Sequence, residues 1–226
     1  MSFNINTPPD NQYDAIVVGS GISGGWAAKE LCEKGLKVLV LERGRQIRHV
    51  TDYSTANTAP WQFKHLNRST VEMRERQFKQ LRTGYTVREE TSHLFVDDVD
   101  HPYEEIKRFD WMRGYHTGGR SITWGKQSYR LSPMDFTANE RDGIATPWPI
   151  SYEDLAPWYS YVERFVGVSG SVENLPNLPD GEFQPPMELT CVEKDVKSSI
   201  EQKWSGRKLI IGLAAHLTEP TEEQTE

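Results

Sequence analysis

Cysteine is almost absent from this sequence, which excludes the zinc and redox motifs that are built on it. The two cysteines, Cys32 and Cys191, lie far apart and form neither a CxxC pair nor a zinc-ligand spacing. Cys32 falls within an apolar helical pattern, and we therefore expect it to be a buried, inert thiol. Two cysteines leave the redox compartment of the protein open.

Long hydrophobic runs and an excess of positive charge are missing as well. No apolar run approaches the ~20 residues that span a bilayer, and residues 1–12 have neither the basic nor the apolar region of a secretory signal. The formal net charge is −7, with 33 acidic against 26 basic residues. A chain of that sign is a poor binder of the nucleic-acid backbone. We therefore expect no membrane span and no nucleic-acid partner.

Apolar residues are sparse for a chain of 226 residues, since the hydrophobic types make up 36% of it. This share is low for an ordinary globular domain. Seven tryptophans and 11% aromatic residues nevertheless argue against wholesale disorder. The composition predicts a thin core with long surface segments, or a piece of a larger protein.

A strand, a helix and a second strand follow one another near the N-terminus. Residues 13–18 are a short, β-branched apolar run that ends at glycine, as buried parallel strands do. Residues 22–34 carry apolar side chains at helical spacing and stop at Gly35. Residues 37–42 form a second apolar run. This order predicts a βαβ unit with a right-handed crossover, and hence an α/β fold.

The turn between the first strand and the helix is glycine-rich. Residues 19–24 have the GxGxxG pattern in the strand–turn–helix context that makes it specific. Gly19 permits the tight turn, Gly21 lets the backbone approach a pyrophosphate, and Gly24 lets the helix pack on the strand. The helix N-terminus offers free N–H groups to the phosphates. The pattern therefore predicts a dinucleotide site.

Glu42 ends the second strand, where a carboxylate accepts hydrogen bonds from the ribose hydroxyls of an adenosine and repels a 2′-phosphate. The βαβ unit alone does not decide between NAD and FAD. The sequence Glu42-Arg43-Gly44 favours FAD modestly. An NAD(P)-dependent oxidoreductase and a noncatalytic nucleotide-binding fragment remain alternatives at this point.

A second glycine-rich segment covers residues 118–125, Gly-Gly-Arg-Ser-Ile-Thr-Trp-Gly. Its backbone amides, hydroxyl groups and aromatic ring suit an anion or the edge of a flavin ring. The alternative is a tight turn in which Trp124 fills the core. We refer to residues 19–24 as the first glycine segment and to residues 118–125 as the second.

The remaining sequence predicts helices joined by long loops. A capping pattern at residues 69–72 predicts a helix to Leu81. The basic side chains between Lys64 and Arg88 indicate either a solvated helix face or a docking face for a flavin phosphate or a partner protein. Residues 91–105 are typical of a loop or hairpin. Further along, we expect a helix over 151–165 with Pro157 beginning a second segment, a helix over 190–204 and a strand over 208–213.

Together these motifs resemble the glucose–methanol–choline (GMC) oxidoreductase family. Residues 13–44 and 115–125 carry the general likeness. The run Trp148-Pro149-Ile150-Ser151-Tyr152-Glu153-Asp154-Leu155, followed by Trp158-Tyr159 and Gly167-Val168, is similar to the branch of gluconate and glucoside dehydrogenase flavoprotein subunits and pyranose oxidase. The likeness extends over residues 13–215. It implies a Rossmann-like FAD-binding fold with helical and loop insertions.

The resemblance implies an FAD enzyme that removes a hydride from an alcohol carbon of a sugar or polyol. The implied cofactor residues are Gly19, Gly21, Ser23 and Gly24 at the pyrophosphate, Glu42 at the ribose with Arg43 beside it, and Gly118, Gly119, Ser121, Thr123 and Trp124 along the flavin. Thr123 stands where some pyranose oxidases carry the histidine that bonds to FAD, so we expect noncovalent FAD. His116 lies outside that position and is interpreted as a loop histidine.

The family's catalytic His/His or His/Asn pair has no counterpart that we can assign here. Members of the family are much longer chains, with this pair close to their C-terminus. We therefore expect an incomplete, truncated FAD-binding part that is inactive alone, with no catalytic residue and no metal assigned. Its partners would be a sugar or alcohol substrate and an electron-acceptor protein or small subunit. The expected location is cytoplasmic, or periplasmic if the chain is exported with a partner subunit.

The expected organisation has three parts. Residues 1–12 form a polar lead-in, residues 13–215 a partial FAD-binding domain, and residues 216–226 an acidic, disordered tail. Within the domain, residues 45–110 are an insertion, and residues 144–215 begin the region of the substrate domain.

Overall fold

The computed structural model describes residues 12–220 of the 226-residue chain. Two compact units divide after Trp124, the first being Met1–Trp124 and the second Gly125–Glu226. The predicted polar lead-in lies outside the described residues except for Gln12, as does the predicted tail from residue 221 onward.

The N-terminal unit contains the predicted βαβ motif. Strand β1 spans Ala15–Val18, helix α1 spans Ile22–Glu33 and strand β2 spans Val38–Leu41. The two strands pair in parallel, from Ala15 opposite Val38 to Val18 opposite Leu41. The α/β class is confirmed, with a small parallel sheet in the described residues.

One face of this sheet packs on α1, and the other face is open. Val17 points toward the helix, since its Cγ1 lies 3.3 Å from the place that a Cβ on Gly24 would occupy. On the opposite face, Ile16 is 62% exposed, Val18 81% and Leu41 49%. Parallel sheets are normally covered on both faces. The open face is therefore an apolar surface that the described residues leave uncovered.

The helix predicted over residues 69–81 is two short helices. Helix α2 spans Val71–Arg76 and helix α3 spans Phe78–Thr83. Gln77 between them leaves the helical conformation, with φ −112° and ψ 34°. Its buried side-chain amide donates a hydrogen bond of 2.9 Å to the carbonyl of Ser92. This tertiary contact is not encoded in the local helical pattern.

Basic side chains of these helices pair with acidic residues of the following loop. Arg76 pairs with Asp97 and, at 2.9 Å, with Asp100. Arg82 pairs with Glu105 at 3.0 Å. The helix face at these two arginines is therefore partly solvated and also paired with acidic residues, Arg76 being 42% and Arg82 26% exposed. Their ion pairs attach the loop to α2 and α3.

A buried polar cluster fixes the segment that leads to the second glycine segment. The carboxylate of Asp98, 2% exposed, accepts hydrogen bonds of 2.8 Å from the Lys79 N–H and from Nε2 of Gln80. Oε1 of Gln80 accepts a hydrogen bond of 2.8 Å from the backbone N–H of Arg113. The buried guanidinium of Arg113 lies 3.5 Å from Asp98. Since buried polar groups are costly when unpaired, this cluster anchors the backbone around Arg113.

The described residues of the C-terminal unit contain three α-helices. Helix α4 spans Pro133–Asp142, α5 spans Tyr152–Val166 and α6 spans Cys191–Lys203. Helices α5 and α6 confirm the sequence predictions. Helix α4 was not predicted, although its start carries a recognisable signal. Asp135 accepts a hydrogen bond of 2.7 Å from the Ser132 N–H, just before a proline at the first helical position.

Pro157 lies inside α5, so the expectation of a second segment beginning there is wrong. Proline removes the N–H that would bond to the carbonyl of Glu153. The start of the helix is stabilised by a reciprocal cap, in which Ser151 and Asp154 exchange hydrogen bonds of 2.8 and 3.3 Å. The helix ends at Gly167, which adopts φ +69°. One missing hydrogen bond does not interrupt a helix with both ends capped.

A buried ion pair lies at the centre of the C-terminal unit. Nε and Nη2 of Arg130 donate to the two carboxylate oxygens of Glu163 at 2.7 and 2.6 Å. Nη2 also donates to Ser160 Oγ at 3.0 Å. Both charged side chains are nearly inaccessible to solvent. Removing one partner would leave an uncompensated buried charge, so the pair ties α5 to the chain before α4.

The strand predicted over residues 208–213 is not formed. Ala214, just beyond it, makes isolated bridges with Ser169 and Gln127 instead. The tail predicted to be disordered from residue 216 is held at its start, because the Thr218 N–H donates a hydrogen bond of 2.9 Å to Oε1 of Gln184. The disorder of the tail stays a prediction.

Both cysteines are exposed free thiols. The buried state expected for Cys32 is wrong, because α1 packs on a sheet that has two strands in the described part of the chain, and the helix has no fully buried residue. Across the described residues, no helix combines the length and apolar character that a membrane crossing requires.

Candidate functional site

The turn after β1 has the geometry that its first glycine permits. Gly19 adopts φ +92°, a conformation that side chains other than glycine rarely reach. Its N–H donates a hydrogen bond of 2.7 Å to the carbonyl of Leu41 at the end of β2. The turn is thereby attached to the carboxyl ends of both strands, where ligands of open α/β sheets bind.

The other two glycines of the first glycine segment have different surroundings. A Cβ on Gly24 would lie 1.9 Å from the carbonyl oxygen of Gly19, so the close packing of helix on turn excludes any side chain there. A Cβ on Gly21 would meet only the carbonyl oxygen of Gly118, at 4.0 Å. Gly24 therefore serves the fold, whereas Gly21 leaves space beside the helix terminus.

The N-terminus of α1 faces this space with unpaired donors. Within the described residues, the N–H groups of Ile22, Ser23 and Gly24 have no hydrogen-bond acceptor. No side chain caps the helix, and the side chain of Ser23 is exposed. Free N–H groups and the positive end of the helix dipole attract an anion. The residues present therefore fit the pyrophosphate of a dinucleotide.

Glu42 lies next to the same turn and is held in its charged form. Its Oε2 accepts hydrogen bonds from the Ser20 N–H at 2.8 Å and from Ser20 Oγ at 2.5 Å, and its Oε1 accepts from the Gly44 N–H at 2.7 Å. Desolvation raises the pKa of Glu42, but these hydrogen bonds and one from the Arg43 N–H outweigh it and lower the pKa. A carboxylate has about four acceptor positions, and these four hydrogen bonds occupy them, so a ribose hydroxyl would have to share or replace one.

The second glycine segment forms a short 3-10 helix over Gly119–Ile122. Gly118, with φ +82°, precedes it. Five of its backbone N–H groups already donate hydrogen bonds within the protein, namely those of Gly118, Gly119, Ser121, Thr123 and Trp124. These five amides are therefore not free to bind an anion. What the segment offers to a ligand is the shape of its surface and its carbonyl oxygens.

Contacts between residues 43–45, which follow β2, and residues 115–116 bring the second glycine segment close to the first. Arg45 and His116 form a parallel bridge, in which the Arg45 N–H donates to the Tyr115 carbonyl at 3.1 Å. The guanidinium of Arg43 stacks on the ring of Tyr115, 3.9 Å from its centre. A Cβ on Gly44 would lie 2.1 Å from the backbone nitrogen of His116, so this close approach of the two backbones requires glycine.

The predicted flavin residues do not all face the first glycine segment. Gly118 and Gly119 do, since a Cβ on Gly119 would lie 3.3 Å from Cα of Gly21. Ser121 Oγ turns back to the carbonyl of Gly118 at 2.7 Å. Within the described residues, Thr123 and Trp124 make no hydrogen bond with residues 19–24, and the indole is partly exposed. These two residues are therefore not joined to the site by the described contacts.

Sequence reasoning missed Ser20 and did not predict that the loop histidine His116 is buried. His116 is 2% exposed, and its Nε2 lies 3.2 Å from the Leu94 carbonyl, so it packs inside the unit. Ser20 occupies a variable position of GxGxxG. Its proximity to Glu42 follows from the βαβ topology, because both residues stand at the carboxyl ends of the strands. Its contact with Gly118, 98 positions away, has no local signal.

Known proteins of similar sequence carry the names of dehydrogenases and oxidases. The chain is 28% identical over 173 residues to a gluconate 2-dehydrogenase flavoprotein of Pantoea cypripedii, covering 71% of this chain and 26% of that protein. It is 29% identical to a 6'''-hydroxyparomomycin C oxidase of Streptomyces lividus, with coverage of 71% and 24%. Identity to the fructose dehydrogenase large subunit of Gluconobacter japonicus is 27%, with coverage of 70% and 27%. The chain spans about a quarter of the length of these relatives.

These relatives confirm the resemblance to the GMC branch that the motifs indicated. The cofactor is FAD, which decides against the nicotinamide alternative. A family model described as FAD dependent oxidoreductase matches residues 14–144, more than half of the chain. That range contains the open helix terminus, Glu42 and both glycine segments. The chain therefore belongs to the FAD dependent oxidoreductase family.

Proposed function

We propose that this chain is the FAD-binding part of a GMC-type oxidoreductase that oxidises an alcohol group of a sugar or related polyol. The observation that carries the proposal is the N-terminus of α1, where three N–H groups lack acceptors beside the space left by Gly21. The relatives' names, which include gluconate and fructose dehydrogenases, support the substrate class.

The residues of the N-terminal unit have distinct parts in holding FAD. Ile22, Ser23 and Gly24 would donate their N–H groups to the pyrophosphate, and Glu42 would accept a hydrogen bond from the adenosine ribose. The second glycine segment would pack against the flavin side. When bound, FAD supplies an acceptor for the hydride of an alcohol C–H bond. The residues of the N-terminal unit would bind the FAD and orient it.

We propose that the FAD is held without a covalent bond. Thr123 stands where some pyranose oxidases carry the histidine that bonds to FAD, and a threonine hydroxyl cannot form the histidyl–flavin linkage. Oγ1 of Thr123 donates a long hydrogen bond of 3.4 Å to the carbonyl of Arg120. Acid precipitation of flavin-loaded protein should therefore release all of the yellow chromophore into the supernatant.

We further propose that the proton-accepting catalytic pair and the rest of the sheet lie in sequence outside these residues. The relatives are about four times longer than the matched segment, and one face of the sheet is open at Ile16 and Val18. Under this proposal residues 13–215 are a partial domain, and the complete enzyme passes electrons to an acceptor protein or small subunit. We also propose that the enzyme lies in the cytoplasm, or in the periplasm if it is exported together with a partner subunit.

A titration with three nucleotides tests the cofactor assignment. The purified chain is titrated with FAD, NADH and NADPH, and binding is followed by the quenching of tryptophan fluorescence. FAD should bind most tightly, although more weakly than in intact flavoproteins, and NADPH least. Tighter binding of NADPH than of FAD would refute the proposal, because a charged Glu42 repels a 2′-phosphate.

A further inference from the structure

Among the described residues, Ser20 is the side chain of the first glycine segment that hydrogen-bonds to the second. Its Oγ donates a hydrogen bond of 2.5 Å to Oε2 of Glu42 and accepts one of 3.0 Å from the Gly118 N–H. Its backbone N–H donates to the same carboxylate oxygen at 2.8 Å. The hydroxyl therefore lies between an acid at the ribose position and the start of the second glycine segment.

The chemistry of a hydroxyl suits this double contact. A serine hydroxyl has one proton to donate and two lone pairs that accept. Here the proton is directed to the charged carboxylate of Glu42, which makes the hydrogen bond charge-assisted. A lone pair remains for the amide of Gly118. An alanine at this position would remove both contacts and leave the Gly118 N–H without its acceptor.

The contact completes a ring of hydrogen bonds between the two glycine segments. Glu42 is bonded to Ser20 on one side and to the Gly44 N–H on the other. The next residue, Arg45, bonds through its backbone to the strip that leads to Gly118, since its carbonyl accepts from the Thr117 N–H at 2.9 Å. Without Ser20 the ring is open at the end nearest the cofactor space.

We infer that Ser20 is a positioning residue that fixes the second glycine segment against the first before the cofactor binds. The consequence for cofactor affinity rests on the proposed function, whereas the ordering of the segment does not. Preformed sites bind more tightly because less conformational freedom is lost on binding. Ser20 thus acts through Gly118 and Glu42 on a segment that it does not belong to.

Cleavage by trypsin after Arg120 measures the ordering without any cofactor. Arg120 is exposed within the second glycine segment, so its cleavage rate reports how often the segment opens. Ser20→Ala should raise this rate about 3- to 10-fold in the full chain, as expected for the loss of one or two hydrogen bonds. Ser20→Thr, which keeps the hydroxyl, should restore the slow rate.

Two controls separate a local effect from general unfolding. Ser23→Ala removes an exposed hydroxyl from the same segment and should leave cleavage after Arg120 unchanged. Cleavage after Arg207, in the C-terminal unit, should be equal in all variants. Equal rates after Arg120 in wild type and Ser20→Ala would overturn the inference. The inference would also be overturned if Ser20→Thr were cleaved after Arg120 as fast as Ser20→Ala.

A second measurement distinguishes this inference from the proposed function. In an FAD titration, Ser20→Ala should raise the Kd and reduce the circular dichroism of the bound flavin, and Ser20→Thr should recover both. If wild type binds no FAD, the proposed function fails while the difference in cleavage stands. If wild type binds FAD and Ser20→Ala matches it in cleavage, Kd and dichroism, the positioning role fails while the proposed function stands.

Discussion

Gly21 and Gly24 lie three positions apart and serve different needs. Gly21 has φ −65°, which any residue can adopt, and a side chain there would enter the space at the helix terminus. We expect Gly21→Val to fold normally and to lose FAD binding. Gly24→Ala forces a Cβ against the carbonyl of Gly19 and should lower the free energy of unfolding by ~1–3 kcal/mol. Urea denaturation and FAD titration of both variants separate the two effects.

The neighbouring Gly25 supplies the matched control for this pair. A Cβ on Gly25 would lie 3.6 Å from the Ser20 carbonyl, which is an ordinary contact. Gly25→Ala should therefore stabilise the protein by ~0.5–1 kcal/mol and leave FAD affinity unchanged. Wild-type FAD affinity in Gly21→Val would show that the pyrophosphate lies elsewhere.

Glu42 should determine which adenosine ribose is accepted. Its lowered pKa keeps it charged near neutral pH, and three hydrogen bonds orient the carboxylate. Glu42→Ala should weaken FAD binding about 10- to 100-fold, less than Gly21→Val, because it removes charge-assisted hydrogen bonds without filling the site. Glu42→Gln should reduce the preference for ADP over 2′-phosphorylated ADP in a competition assay. An unchanged preference would contradict the ribose assignment.

At the scale of elements, the loop that packs on α3 should open in acid. The hydrogen bonds from Arg82 and from the Phe109 N–H lower the pKa of Glu105 to about 2, below its ordinary value of 4.5. Because the pKa is lower in the folded state, the stabilisation is complete above pH 4.5 and is lost as the pH falls toward 2. Amide exchange of residues 97–110 should therefore speed up over this pH range, after correction for the intrinsic rate.

Two substitutions test whether Glu105 carries this acid sensitivity. Glu105→Gln should give fast exchange in the loop at every pH, with no step between 4.5 and 2. Glu104→Gln, at the exposed neighbouring position, should behave as wild type. A step that persists in Glu105→Gln would assign the effect to another acidic group.

Local sequence patterns predicted the elements that carry their own signals and missed those set by distant contacts. The βαβ unit has apolar runs bounded by glycines, and α5 and α6 begin at capping residues, so their existence was predicted. The break at Gln77 depends on a hydrogen bond to Ser92, which no local pattern encodes. The strand expected over 208–213 had apolar residues but no partner strand beside it in the described fold.

In the candidate site, too, some features have a local sequence signal and others depend on distant contacts. The positions of Gly19, Gly24 and Glu42 around the turn follow from a local motif in a known topology, and their contacts with the cofactor stay predictions. The approach of the second glycine segment depends on the bridge between Arg45 and His116 and on Ser20. These pairs are separated by some seventy to a hundred residues, where spacing carries no information about contact.

At the scale of the whole molecule, the open sheet face should govern how the purified chain behaves. Ile16, Val18 and Leu41 expose apolar side chains side by side on a two-stranded sheet. Buried apolar surface contributes ~25 cal/mol per Å², and exposed strands invite pairing with other chains. We expect the isolated chain to bind a hydrophobic dye, to self-associate in light scattering, and to show no dye-linked turnover of glucosides, gluconate or simple alcohols.

Matched substitutions show whether this face is responsible. Val18→Thr should lower dye binding and self-association, because it reduces the apolar area of the open face. Val71→Thr, at a similarly exposed valine on α2, should change neither. Equal behaviour of both variants would assign the association to another surface. Stoichiometric FAD together with measurable alcohol oxidation by the isolated chain would show that its catalytic apparatus is present, contrary to the proposal that the proton-accepting pair lies outside it.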